Sequence, residues 1–209
     1  MRTTLYLLRH AATSANLQKP AKLQGRRSDP DLAPLGLRQA EATRDFFAIR
    51  PVDVIYTSPL RRAYCTAQII AEPHGLRPII LDELTEIDVG DWEGKSWEEI
   101  ATTDPDRYAR HHSDPSKNAY LNGENFEQVH DRTARTIDEL LIEHEGGSIV
   151  VVSHHVVNRT YLAGVLGLGC SGARAVSLEN CGISIVWHER GKTTVATLNA
   201  AFHLQGVAA

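Results

Sequence analysis

The sequence predicts a three-layer α/β/α sandwich built on a mainly parallel sheet with an antiparallel C-terminal edge. Three observations carry this expectation. Apolar β-forming runs alternate with stretches of helical periodicity, the pattern of a parallel sheet covered by helices. The run GSIVVVS at 147–153 is apolar throughout its centre, as a strand buried on both faces requires. Two late runs, at 182–189 and 193–200, flank Arg190-Gly191, a hairpin signal that makes them antiparallel neighbours at a sheet edge.

Taken in order, Leu5 to Leu8 reads as a short buried strand. A helix follows over 34–49, with Pro34 in its first turn and Leu37, Ala40 and Phe47 at helical spacing. VDVIYTS at 52–58 is the second strand, and Pro59 then opens a helix through Ala71. RPIIL at 77–81 reads as a third strand, followed by loop signals in DVGDWEG. Between Ser96 and Asn122 the pattern weakens to a helix or two and then an exposed crossing loop that includes His111-His112. A long helix over 125–144 turns Val129, Ile137, Leu140 and Leu141 inward. The strand at 147–153 is followed by another helix over 156–166.

Length and composition fit this scheme. The 209 residues suit one domain, 1–209, with a single core. Hydrophobic residues at 42% and charged residues at 23% are ordinary soluble usage, which excludes a disordered chain. A net charge of −4 gives no reason to expect nucleic acid or an acidic membrane as partner, so any anion site is a local concentration of cations. The three cysteines are widely spaced and form no motif, as expected of reduced thiols in the cytoplasm. The apolar run at 5–8 is too short for a secretory signal, and no run reaches the length of a membrane span.

The placement of polar residues suggests a site. Arg9-His10 follows the first strand directly, and Ser153-His154 follows the central one. In open α/β sheets ligands bind beyond the carboxyl ends of the strands, so both imidazoles point to one crevice. Ser58-Pro59 ends the second strand with Arg61 and Arg62 just beyond, and Glu86 lies five residues past the third. Two imidazoles, guanidinium groups and a carboxylate suit a phosphoryl group. Guanidinium forks bind phosphoryl oxygens bidentately and keep their charge. Donors aimed at those oxygens stabilise the transition state. A neutral imidazole is a usable nucleophile near pH 7, and nearby cations keep it neutral. The departing alkoxide needs a proton, for which Glu86 is available.

The same residues resemble the histidine phosphatase superfamily, in its phosphoglycerate-mutase-like branch. LLRHAATSAN is similar to the signature R-H-G-E-T-x-x-N, and LQGRRSDPDLAPLGLRQA to Q-G-x-x-D-x-x-L-T-x-x-G-x-x-Q-A. TSPLRRAYCTAQ resembles S-P-L-x-R-A-x-x-T-A, which selects Arg62 over Arg61. LTEIDVGDWEG, NGENFEQVHDR and VVVSHH match the family's later segments in the same order. The resemblance implies His10 as the phosphohistidine and Arg9, Arg62 and His154 as holders of the phosphoryl oxygens. It makes Glu86 the acid and then the base. Asn16 maps to a phosphate contact, Thr13 and Gln24 to the pocket lining, and no metal or other cofactor is implied. The sequence departs from the signature at Ala11 and His155, which replace glycines, and at Ala12, which replaces a glutamate. A backbone needing φ > 0 at Ala11 or His155 would be strained; otherwise their bulk narrows the pocket, and His155 meets the substrate.

Glu83, Asp88 and Glu93 compete with Glu86 for the acid's role. Asn16 and Gln24 are equally suited to capping turns. His111-His112 lacks the helical spacing of a metal site and reads as solvated loop. Trp92 and Trp97 read as packing residues near the site, and Arg107, Arg110 and Lys117 as a solvent face, with a grip on a second acidic group of the substrate as the alternative. The leading expectation is hydrolysis of a small phosphorylated metabolite. A phosphoglycerate mutase is second, because the short insertion between Glu86 and His154 offers little cover against water. An inert phosphoryl-binding module is third. A homodimer pairing through the C-terminal hairpin is possible on edge-strand grounds.

Overall fold

The computed structural model describes residues 1–207. Its centre is a six-stranded sheet in the order β3-β2-β4-β1-β5-β6. The strands are β1 (Thr3–Arg9), β2 (Val54–Thr57), β3 (Ile79–Ile80), β4 (Ser148–Ser153), β5 (Ile183–Glu189) and β6 (Lys192–Ala200). β1 and β2 flank β4 in parallel, and β5 turns the sheet antiparallel at β1. The β5–β6 turn is at Arg190-Gly191, where both residues have positive φ, 53° and 72°, as a two-residue hairpin needs.

Strand alternation splits the core into two layers. Leu5 and Leu7 of β1 join Ile149 and Val151 of β4 on one face, under α6 (Phe126–Glu143) and α7 (His155–Val165). Leu8, Val150 and Val152 point to the other face, against α2 (Pro34–Phe47) and α3 (Arg61–Ala71), which supply Phe47, Ala63, Ala67 and Ile70. Each fully buried Leu, Ile, Val or Phe among them stabilises the fold by roughly 1.5–3 kcal/mol. β4 is buried from Ile149 to Ser153, as its apolar sequence predicts. The Asn125 side chain accepts from the backbone of Gln128 and starts α6 with a capping box.

Three expectations change. The third strand shrinks from 77–81 to two half-exposed isoleucines, because β3 lies at the edge and pairs only with β2. A four-residue helix, α1 (Ser14–Leu17), appears where no strand or helix pattern was legible. His111-His112 is not solvated loop: after α4 (Trp97–Thr103), helix α5 (Pro105–Ser113) carries both histidines and buries His111. The cause is aromatic packing. The His111 ring lies 4.2 Å from that of Tyr120, and His112 stacks 3.9 Å from Tyr108 and meets Trp97 at 4.7 Å. Among the described residues no helix is long and apolar enough to cross a membrane.

Candidate active site

Register brings the two histidines together. Arg9 pairs with Ser153 across the parallel β1–β4 ladder, so the next residue on each strand leaves the sheet at the same place. The backbone N–H of His10 donates to the Ser153 carbonyl at 2.9 Å, and the His10 and His154 ring centroids are 5.1 Å apart. Both rings are buried beneath a cavity of about 210 Å³, lined among others by Arg9, His10, Asn16, Gln24, Glu86 and His155.

The local bonds define each imidazole. His10 Nδ1 is 2.8 Å from the Ala11 carbonyl. A carbonyl only accepts, so Nδ1 carries the proton and Nε2 keeps its lone pair. Burial, then the charges of Arg62 and Arg9, hold His10 well below the usual imidazole range, and the ring is neutral at pH 7. Asn180 steadies the same turn by donating from Nδ2 to the His10 carbonyl at 2.8 Å. His154 Nε2 lies 2.8 Å from Ser58 Oγ, which already accepts from the Leu60 backbone. Where the Ser58 hydroxyl donates to Nε2, the proton of His154 sits on Nδ1. That Nδ1 is buried without a partner. Burial and the Arg62 charge also push His154 well below its ordinary value.

Two guanidinium groups complete this end of the cavity. Arg9 Nη1 donates to the Leu178 carbonyl at 2.9 Å. Burial pulls its pKa down to about 10, with Glu86 opposing, so it stays charged. Arg62, at the start of α3 and only 1% exposed, donates to the carbonyls of Gly25 and Ser28 and pairs with Asp29 at 3.3 Å. The Nε atoms of Arg9 and Arg62, like Nε2 of Gln24, are buried and unpaired. An unsatisfied buried donor costs about 1–3 kcal/mol, so several in one place mark a site completed by an anion.

Glu86 is buried at the N-terminus of α7. Oε1 accepts from the Ile87 backbone at 2.9 Å and Oε2 from those of His155 and Val156 at 3.0 and 3.3 Å. Its competitors are committed elsewhere: Asp88 binds Arg27 at 3.1 Å, and Glu93 accepts from Ser28 and Gly25. Glu83 is exposed. Asn16 lines the cavity, its Oδ1 accepting from the Thr13 backbone and its Nδ2 turned toward Gln24. Thr13 is fully buried one layer back and donates to Asn16 or Gln24, so it holds the lining rather than forming it. Neither Ala11 nor His155 has positive φ, so the glycine replacements strain nothing. His155 lines the cavity, and burial brings its pKa to about 3.

Of the residues that shape the site, Ser58 was placed at its edge without a role, and Asn180 and Arg159 were not singled out from the sequence. Arg159 lies four residues after His155 on α7, and helical spacing alone puts the two on one face. Asn180 sits in an irregular segment before β5 and carried no signal.

Fold and cleft together are those of an α/β protein whose buried imidazole and guanidinium groups gather at the carboxyl ends of its parallel strands. The chain belongs to the histidine phosphatase superfamily (branch 1), whose family model matches residues 5–201, and it is a phosphatase. Phosphoserine phosphatase 1 of Hydrogenobacter thermophilus is 34% identical over 200 residues, which cover 96% of this chain and 93% of that one. Among solved structures, Bacillus stearothermophilus YhfR superposes with a TM-score of 0.89 at 28% identity, covering 97% of this chain and 99% of that one. A mycobacterial glucosyl-3-phosphoglycerate phosphatase does so with a TM-score of 0.85 at 25% identity, covering 96% and 100%.

Proposed function

We propose that the protein hydrolyses small phosphomonoesters through a phosphohistidine formed on His10. The lone pair of His10 Nε2 attacks phosphorus as the bond to the ester oxygen breaks. Glu86, in its protonated form, gives that oxygen its proton, and the alcohol leaves. Glu86 then takes a proton from water, whose oxygen attacks phosphorus and breaks the P–N bond, freeing phosphate and restoring neutral His10. Arg9, Arg62, His154 Nδ1 and the Asn16 amide hold the oxygens while charge spreads over them. Gln24 and His155 border the leaving group.

The observation that carries this reading is a neutral imidazole with a free Nε2, set among buried donors that have no partner of their own. Hydrolysis rather than return of the phosphoryl group is supported by relatives that are named as phosphatases. The three free cysteines support a cytoplasmic setting. His10→Ala tests the covalent route: turnover should fall to background, and the wild-type protein, quenched in alkali during turnover, should carry an acid-labile phosphate that the variant lacks. Appreciable hydrolysis by the variant would overturn the route.

A further inference from the structure

One hydroxyl beneath the cleft has no part in the steps above. Ser58 directly follows β2 and His154 directly follows β4, and neither is exposed. The sheet order β2-β4-β1 sets His154 between Ser58 and His10. Ser58 Oγ is 2.8 Å from His154 Nε2, and the centroids of the two imidazoles are 5.1 Å apart. The nitrogens of an imidazole point apart, so a ring whose Nε2 meets Ser58 on the β2 side turns Nδ1 to the side of His10. That Nδ1 is the buried nitrogen without a partner.

The His154 ring is neutral, held so by burial and by the charge of Arg62, and therefore has one proton to place. Two arrangements suit the contact with Ser58. If Nε2 held the proton, Ser58 Oγ would accept from both Nε2 and the Leu60 backbone. The hydroxyl proton would then be left in the core with no acceptor among the described residues, and Nδ1 would turn a lone pair on the oxygens of a bound phosphoryl group. If Ser58 donates instead, its oxygen still accepts from Leu60, its proton is satisfied, and Nδ1–H faces those oxygens. A stranded hydroxyl and an opposed lone pair each cost free energy, so the second arrangement prevails.

We propose that Ser58 is a positioning residue: by donating to His154 Nε2 it keeps the His154 proton on Nδ1, where it binds a phosphoryl oxygen. The proposal rests on the phosphatase reading of the same cleft. Each nitrogen of a neutral imidazole is a donor or an acceptor, never both, and a hydroxyl on the neighbouring strand makes that choice before the substrate arrives. The donor is thus aimed in advance at the charge that spreads over the oxygens during transfer, where a hydrogen bond counts most.

The test reads the ring directly. In long-range proton–nitrogen NMR spectra of the unliganded wild-type protein, labelled with nitrogen-15 histidine, His154 should show Nδ1 protonated and Nε2 bare. In Ser58→Ala nothing holds the choice, and the form protonated at Nε2 should appear. In the same variant kcat for 4-nitrophenyl phosphate should fall by about 10- to 100-fold, the factor one hydrogen bond to a charged group supplies. Protonation at Nε2 in the wild type, a ring still wholly protonated at Nδ1 in Ser58→Ala, or an unchanged kcat in that variant would each overturn the proposal while leaving the phosphatase reading intact. No phosphate release from any ester by the wild-type protein would overturn that reading and the proposal with it.

Discussion

The two histidines of the cleft are kept neutral by the same surroundings that make them useful. Burial and the neighbouring guanidiniums disfavour the imidazolium of His10 and of His154. Their resonances should therefore show no protonation step between pH 6 and 7 in an NMR titration, and a step at or above 6.5 would contradict the burial argument. The sign for stability follows. Above pH 6.5 these rings are neutral folded or unfolded and cost nothing. Below it the unfolded chain takes up protons that the native state refuses, so stability is lost as pH falls toward the depressed folded values. His155 and His111, brought to about 3 and about 4, add to this loss. At this scale much of the site was legible, because Arg9, His10, Arg62, Glu86 and His154 each follow a strand or open a helix within a segment of recognisable spacing. The role of Ser58 was not, since it depends on contact with His154, and that is a property of packing.

At the scale of elements, the loop after β1 is fixed as much by α2 as by its own residues. A Cβ on Gly36 would stand 2.0 Å from the Ala12 carbonyl oxygen, two residues from His10. Alanine favours helix over glycine by about 1 kcal/mol, but overpacking of this kind costs about 1–3 kcal/mol, and here the obstacle is backbone. Gly36→Ala should thus lower the urea midpoint and slow turnover as the His10 loop shifts; an unchanged midpoint would show that the contact is loose. Elements with strong periodicity, such as α6 and β4, were readable to within a residue or two. Helix α5 was not: its run RYARHHS is polar by composition, and the facing rings of Trp92, Trp97, Tyr120 and Phe126 make burial of His111 favourable. Likewise β3 kept two of its five expected residues because a strand with one neighbour has half the ladder bonds to hold it.

At the scale of the molecule, alternation of strands and helices foretold the layers but not the strand order, since periodicity does not say which strand pairs with which. That order places β1 beside β4 and so creates the cleft. The donors left unpaired there, on Arg9, Gln24, Arg62, His154 and Arg159, also link occupancy to heat resistance. An oxyanion such as vanadate that binds only the native state, at a hundred times its Kd, adds about 2.7 kcal/mol, which should raise the melting temperature by roughly 5–10 °C for a chain of this size. Calorimetry with vanadate showing no upward shift would mean that those donors find water enough without a guest. If the shift is seen, the protein amid plentiful phosphate esters is rarely at the mercy of its unliganded form: its resistance to unfolding grows with the logarithm of the supply of what it consumes.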